Sequence, residues 1–161
     1  MKNLDDNFQL VVSLEPSAVS EAALIWARAT ALRDELPAPA TGEEKVPGIK
    51  RRLDIEGSKL LIARRDETCV AFTLFAPRKK SLEIFYLAVD PDSWGSGVAS
   101  TLLFGAEDYA RGICRAALEL WVIDDNERAL NVYARFGFVD TEEAKVDESS
   151  GRIERRLVKQ I

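Results

Sequence analysis

Residues 87–99 read LAVDPDSWGSGVA, and they place a strand, a loop and a helix in immediate succession. Gly95 and Gly97 lie in the loop, and apolar residues then recur at helical spacing: Ala99, Leu102, Leu103, Ala106, Ala110 and Ile113. Successive loop amides and the first unpaired amides of a helix together form a concave site for an anion. Glycine lets a bulky phosphate approach the backbone. The stretch predicts a phosphate-binding loop, with a plain tight turn as the alternative.

Outward from this loop, the pattern alternates between strands and helices and predicts an α/β fold. Short charged turns separate the three strand-like runs before the loop, at 59–64, 69–75 and 82–89, and this spacing favours an antiparallel meander. Pro16 and Ser17 are expected to stop the first strand and cap a helix whose apolar stripe is Val19, Ala22, Ala23, Trp26, Ala29, Leu32 and Leu36. The predicted strands are 8–14, 59–64, 69–75, 82–89, 116–123, 138–139 and 152–158, and 38–47 is a predicted loop. A short helix is expected at 49–55, the stripe from Ala99 to Ile113 predicts a helix with Gly112 near its end, and Asp124-Asp125-Asn126 caps a further helix that Gly137 stops.

Length and composition bound the class of protein. The chain has 161 residues, 22 basic and 27 acidic side chains and a net charge of −5. This length suits one domain spanning residues 1–161, and no apolar run is long enough to cross a membrane. The acidic balance argues against a nucleic-acid partner. Cys69 and Cys114 are too few for a disulfide framework, so we expect two small buried residues in a reducing cytoplasm.

The absence of histidine narrows the available chemistry. With no histidine in the chain, Ser-His-Asp and Cys-His triads and histidine-bearing zinc sites are excluded. No metal site is expected. A general base must therefore come from a carboxylate or from ordered water.

A second group of residues follows the predicted strand at 116–123. Asn126, Ala129 and Tyr133 are spaced so that they share one face of a helix, and Gly137-Phe138 ends that helix. Taken singly, Asn126 is explained as an N-cap and Tyr133 as a half-buried core aromatic.

Together the two groups resemble the Gcn5-related N-acetyltransferase (GNAT) superfamily. That family's acetyl-CoA loop reads Gln/Arg-x-x-Gly-x-Gly/Ala, and Gly97 and Ala99 match it. The first position departs, because Trp94 stands where Gln or Arg is expected. The Asn-x-x-Ala-x-x-x-Tyr…Gly-Phe pattern also looks like the family's. The resemblance covers roughly residues 82–139 and implies a mixed central β-sheet flanked by helices.

The resemblance also implies a cosubstrate and the residues that contact it. Acetyl-CoA would lie along the strand at Leu87, Ala88 and Val89, whose main chain pairs with pantetheine in the family. The remaining implied contacts are Trp94, Gly95, Ser96, Gly97, Val98, Ala99, Ser100, Asn126 and Tyr133. The family uses a tyrosine at the position of Tyr133 as the general acid for the leaving thiolate.

Acetyl transfer to an amine requires a base, because an alkyl ammonium has a pKa near 10.4 in water. Glu83 lies within an apolar run, so it faces either solvent or a site. It also falls where histone-acetyltransferase members of the family carry their base. Glu119 on the next strand is the rival, and ordered water is the third alternative. No cysteine has a base partner in the sequence, which favours direct transfer in a ternary complex over an acyl-enzyme.

The sequence leaves several matters open. A non-catalytic acyl-CoA-binding or regulatory domain of the same fold is the main alternative, whereas a Rossmann-type nucleotide binder would need a full GxGxxG after the first strand. Arg51-Arg52 and Arg78-Lys79-Lys80 are interpreted as solvated turns, or as groups that hold the 3′-phosphate or an acidic partner. The partner is an unidentified amine acceptor, either a small molecule or a protein amine. A homodimer is one alternative for the oligomeric state.

Overall fold

The computed structural model describes residues 8–37 and 41–161 of the chain. These residues form seven strands and four α-helices in the order that the sequence predicts, with a 3₁₀ turn at Pro91–Ser93 before α3. The strands are β1 Gln9–Val12, β2 Lys59–Arg65, β3 Thr68–Pro77, β4 Ser81–Val89, β5 Ala117–Ile123, β6 Val139–Val146 and β7 Ile153–Gln160. The helices are α1 Pro16–Arg33, α2 Gly42–Leu53, α3 Val98–Gly112 and α4 Glu127–Phe136.

The strands form one mixed sheet in the order β1-β2-β3-β4-β5-β7-β6. The first four strands are an antiparallel meander, β4 and β5 are parallel, and β5, β7 and β6 are again antiparallel. The predicted mixed α/β sheet is therefore confirmed. β6 is longer than the predicted strand at 138–139. The sequence pattern missed most of it, because this edge strand is polar and exposed and carries no apolar alternation.

A hydrophobic core lies on each face of the sheet. On one face, α3 and α4 cover β4 and β5, with Leu102 and Leu103 of α3 fully buried. On the other face, α1 and α2 cover β2, β3 and the second half of β4. Burial of each such leucine contributes about 1.5–3 kcal/mol, so these layers hold β4 and β5 rigidly in place.

Two expectations for α1 are wrong. Glu15, not Ser17, is the N-cap residue, and Pro16 occupies the first helical position, where its missing N–H is not needed. Leu32 and Leu36, assigned to the buried stripe, are about half exposed. Leu24 is equally exposed. The helix is thus apolar on more than one side, and spacing alone did not select the face that packs.

The second helix also differs from the prediction. α2 begins at Gly42 and ends at Leu53, whereas a helix was expected at 49–55 and a loop at 38–47. Pro47 lies inside the helix and removes one hydrogen bond there. Packing against α1 and complete burial of Ile49 offset that loss. Residues 38–40 of the predicted loop lie outside the described residues.

One charged side chain is buried beneath α3. The carboxylate of Glu107 is 4% exposed and accepts hydrogen bonds from Arg111 at 2.9 Å and from Lys159 Nζ at 2.7 Å. Because both carboxylate oxygens are paired, the buried charge is compensated. The contact ties α3 to β7.

The cysteine expectation is correct for only one residue. Cys69 is buried, and burial raises the pKa of its thiol to about 11. Cys114 is exposed, because it follows the end of α3 in a left-handed backbone conformation with φ +59°.

Candidate acetyl-CoA site

The central feature of the site is an opening in the sheet between β4 and β5. The two strands pair only from Ser81↔Ala117 to Ile84↔Leu120. Both strands then continue, to Val89 and to Ile123 respectively, without pairing to each other. The register between β3 and β4 shifts at the same place, which leaves Phe85 as the extra residue of a β-bulge. A bulge bends its strand, so β4 turns away from β5.

Main-chain groups of β4 face this opening. The backbone N–H of Asp90 donates a hydrogen bond to the carbonyl of Val70 on β3. Along an antiparallel ladder, the main-chain N–H and C=O groups of successive residues point alternately to one side of the strand and to the other. Ala88 therefore pairs with β3, whereas the main-chain groups of Leu87 and Val89 point towards β5. Since the Val89 carbonyl accepts a hydrogen bond from a side chain, the groups left for a ligand are Leu87 N–H, Leu87 C=O and Val89 N–H. Of the three predicted contact residues, two present their main chain to the opening.

The glycine loop lies at the wide end of the opening. Gly95 and Gly97 have φ angles of +81° and +86°, a region that favours glycine. A Cβ placed on either residue would have no atom within 4 Å, so the loop borders open space. Gly97 is the N-cap of α3, and no side chain caps the helix there. The amides of residues 97–100 are therefore available to an anion.

An unpaired hydroxyl supports a ligand at the loop. The side-chain oxygen of Ser96 is buried and has no hydrogen-bond partner among the described residues. Buried polar atoms are almost always paired, so a ligand that supplies a polar atom here would remove an unfavourable contact. The loop, its open space and this hydroxyl fit a pyrophosphate group.

Two anchors hold the loop in position. Arg28 of α1 forms ion pairs with Asp90 at 2.7 Å and with Asp92 at 3.2 Å. The indole of Trp94 donates its N–H to the carbonyl of Val89 at 2.9 Å. Trp94, which departs from the family pattern, thus closes the loop back onto β4.

A positively charged side chain that the sequence did not point to, Arg128, stacks on Trp94. The guanidinium of Arg128, in the first turn of α4, lies 4.1 Å from the centre of the indole ring. Arg128 is exposed and forms no ion pair within residues 8–37 and 41–161. A stacked guanidinium keeps its hydrogen-bond donors free for a phosphate. The missing basic residue at position 94 was the signal that a cation had to come from elsewhere.

Asn126 begins α4 beside the opening. Its Oδ1 accepts a hydrogen bond from Ala129 N–H at 3.3 Å, so the N-cap interpretation is supported. The Nδ2 group makes no hydrogen bond within the part of the chain that is described. This donor is free to contact a ligand.

Tyr133 lies deeper, on the α3 and α4 face of the sheet. Its ring packs edge to face on Phe138 at 5.5 Å, and 7% of the residue is exposed. Burial raises the pKa of the phenol well above its usual value of 10. The hydroxyl therefore remains protonated at neutral pH.

The two candidate bases lie side by side on the opposite face. Glu83 and Glu119 are register partners where β4 and β5 still pair, so their side chains share one face. Glu83 is 8% exposed, and Arg78 Nε lies 2.6 Å from its Oε1. Glu119 accepts hydrogen bonds from Ser81 at 2.7 Å and from Arg156 at 2.9 Å. One Glu83 oxygen is left without a partner among the described residues, whereas both Glu119 oxygens are paired.

No set of three or more Asp, Glu, Cys or His side chains suited to a metal ion occurs within residues 8–37 and 41–161. In the same residues, no helix is both long and apolar enough to span a membrane.

Known proteins share sequence and fold with this chain. The acetyltransferase (GNAT) family model matches residues 29–138. A mycothiol acetyltransferase of Acidimicrobium ferrooxidans is 39% identical over 102 residues, which are 60% of this chain and 31% of that protein. The chain thus spans about a third of that relative's length.

Solved structures show the same fold. A protein from Pyrococcus horikoshii superimposes with a TM-score of 0.76 at 20% identity, over 96% of this chain and 98% of that one. A GNAT family acetyltransferase from Elizabethkingia anophelis, solved with acetyl-CoA bound, has a TM-score of 0.68 at 16% identity and covers 97% of this chain and 99% of its own. The family match spans more than half of the sequence and includes β4, the glycine loop and α4. The chain belongs to the acetyltransferase (GNAT) family.

Proposed function

We propose that the protein is an N-acetyltransferase that moves an acetyl group from acetyl-CoA directly to an amine in a ternary complex. The observation that carries the proposal is the opening between β4 and β5, which ends on a loop of free amides. The relative named mycothiol acetyltransferase and the neighbour with bound acetyl-CoA support the same cosubstrate.

The pyrophosphate and the pantetheine arm of acetyl-CoA each have complementary features in the site. The amides of residues 97–100 and the guanidinium of Arg128 suit the pyrophosphate, whose charge also favours the N-terminus of α3. The free main-chain groups of Leu87 and Val89 suit the amides of the pantetheine arm, as an added strand would. The Nδ2 group of Asn126 supplies one more donor beside that arm.

The amine must lose its proton before it attacks the thioester carbon. Glu83 is the proposed base, directly or through a water molecule, because its unpaired oxygen faces the side of the sheet opposite α3. Glu83 accepts one proton from the ammonium before attack. The new C–N bond then forms as the C–S bond breaks, and the nitrogen releases its second proton to solvent, which balances the proton that the departing thiolate receives. Glu119 and ordered water remain the alternatives.

Tyr133 is the proposed donor to the departing sulfur. Burial holds its phenol protonated, so the hydroxyl can stabilise the thiolate by a hydrogen bond. The raised pKa also makes the phenol a weaker acid, so the proton is delivered only to a thiolate that the same apolar surroundings have made more basic. The cysteines do not favour an acyl-enzyme. The buried Cys69 thiol has a raised pKa, and Cys114 follows the far end of α3 from the glycine loop.

An acetyl-CoA-dependent thiol-release screen against a mixed amine library tests the proposal. Release that depends on the added amine, with a mass gain of one acetyl group on that amine, supports acetyl transfer. Tight CoA binding without release against any amine would instead favour a non-catalytic acyl-CoA-binding domain.

A further inference from the structure

The C-terminal half of α2 lies over β4 at the bulge. A Cβ placed on Gly48 would lie 3.3 Å from the ring of Trp26 and 3.6 Å from the hydroxyl of Tyr86. One turn later, the guanidinium of Arg52 lies 4.5 Å from the centre of the Phe85 ring. Phe85 is the bulge residue, so Arg52 is placed where β4 turns away from β5.

The guanidinium of Arg52 is unpaired. Its Nε is buried and has no hydrogen-bond partner among the described residues, which also provide no ion pair to it. By contrast, Arg78 and Arg156 on the same face are paired with Glu83 and Glu119. A buried donor without a partner is unfavourable, and stacking on Phe85 restricts the guanidinium to one orientation. The group is therefore preorganised for an anionic ligand.

An unpaired carboxylate lies nearby on β7. Glu154 is two residues from Arg156, so both side chains point to the same face of the sheet. Burial raises the pKa of Glu154, and the charges of Asp147 and Glu83 raise it further, whereas Lys145 and Arg52 lower it. Arg52 and Glu83 are thus close enough for their charges to act on this carboxylate. The side chain of Glu154 forms no ion pair or hydrogen bond within residues 8–37 and 41–161.

We infer that the acceptor is an amine that also carries a carboxylate, with Arg52 binding the carboxylate and Glu154 facing the ammonium. The inference rests on the proposed acetyl transfer and adds the class of acceptor. Arg78 and Arg156 are already paired with Glu83 and Glu119, and Lys145, the register partner of Glu154, lies over the ring of Trp121. The guanidinium of Arg52 and the carboxylate of Glu154 therefore offer opposite charges to a zwitterion. A guanidinium binds a carboxylate through two parallel hydrogen bonds, which fixes the ligand's orientation.

The test compares amino acids with their amides. Initial rates of acetyl-CoA-dependent thiol release are measured on a panel of free α-amino acids and on the matching carboxamides, which keep the amine and lose the carboxylate. We expect kcat/KM to be on the order of 10- to 100-fold higher for the acids, the effect of one charge-assisted contact. This comparison needs no variant and is independent of effects on folding.

Variants then assign the effect to individual residues. Arg52→Gln should raise KM for the acid by on the order of 10- to 100-fold and change the KM for the amide by less than about threefold. Glu154→Gln should raise KM for both, because both carry the amine. Lys50→Gln, an exposed residue on the same helix, is the matched control and should change neither.

The outcomes separate this inference from the proposed function. Thiol release that is equally fast for acids and amides, or an Arg52→Gln loss that is equal for both, overturns the acceptor class alone. Weaker binding of CoA by Arg52→Gln in calorimetry would assign Arg52 to the 3′-phosphate and also overturn it. If the protein neither binds CoA nor releases thiol with any amine, the proposed function is overturned and, with it, this inference.

Discussion

Substitution of Gly97 separates the binding role of the glycine loop from its role in folding. Gly97→Glu places a negative side chain at the N-terminus of α3, where the pyrophosphate is proposed to bind. Gly97→Ala is the matched control, because both variants force an L residue into a backbone with φ +86°. Neither meets a steric obstacle, since no atom lies within 4 Å of a Cβ at this position.

The structure allows the two effects to be sized separately. An L residue in the left-handed region costs roughly 1–2 kcal/mol, so both variants should lose about the same free energy of unfolding. A glutamate charge about 5 Å from a phosphate charge adds a repulsion of ~3 kcal/mol at an effective dielectric constant of about 20. That repulsion weakens CoA binding by roughly 100-fold, and the alanine variant does not experience it.

The assay is calorimetric titration of CoA, together with urea unfolding, on the wild type and both variants. We expect similar unfolding free energies for the two variants and a loss of CoA affinity of roughly 100-fold or more for Gly97→Glu relative to Gly97→Ala. Equal affinity in the two variants would refute the assignment of the pyrophosphate to this loop.

Four further predictions concern other parts of the molecule. Tyr133→Phe keeps the packing on Phe138 and removes the donor, so turnover should fall ~100-fold or more with little change in CoA affinity, measured by steady-state kinetics and calorimetry. Because burial raises the pKa of Tyr133, the wild-type rate should show no alkaline decline from its ionisation up to a pH of about 10. Glu83→Gln should lower the rate at neutral pH and recover part of it at alkaline pH, where solvent deprotonates the amine; a pH–rate profile measures this. Glu107→Ala leaves the ammonium of Lys159 unpaired beneath α3 and should lower the free energy of unfolding by about 3–5 kcal/mol in urea.

Each of the three variants has an outcome that contradicts its prediction, and an alkaline decline with a midpoint below about pH 10 that is lost in Tyr133→Phe would contradict the prediction for the wild type. Near-normal turnover in Tyr133→Phe would make that residue a packing residue only. A loss in Glu83→Gln that is the same at every pH would indicate positioning, and no loss would shift the search for the base to Glu119 or to water. Unchanged stability of Glu107→Ala would mean that the ion pair beneath α3 is fully solvated.

The sequence predicted those parts of the fold that depend on local patterns. The glycine loop, the cap of α4 at Asn126 and the three-strand meander depend on turn chemistry and apolar periodicity, and all three are observed. The start of α2 was missed because Pro47 reads as a break, whereas tertiary packing holds the helix through that residue. The exposure of Leu32 was not predicted, because α1 is apolar on more than one side.

The site depends on contacts that no local pattern encodes. The bulge at Phe85 and the separation of β4 from β5 arise from the register of three strands. Arg128 meets Trp94 only because α4 lies beside the loop, and the Arg78 to Glu83 ion pair joins the two ends of a turn. The sequence therefore supplied candidate residues such as Glu83 and Tyr133, whereas Arg128 and the partners of the candidates required the fold.

The most direct test of the acetyl-CoA site is a crystal structure of the protein with acetyl-CoA. We expect the pyrophosphate oxygens to accept hydrogen bonds from the amides of residues 97–100 at about 2.7–3.2 Å. The pantetheine arm should lie in the opening between β4 and β5, paired with the main chain of Leu87 and Val89. Acetyl-CoA bound elsewhere, with the loop amides and the opening occupied only by water, would contradict this assignment.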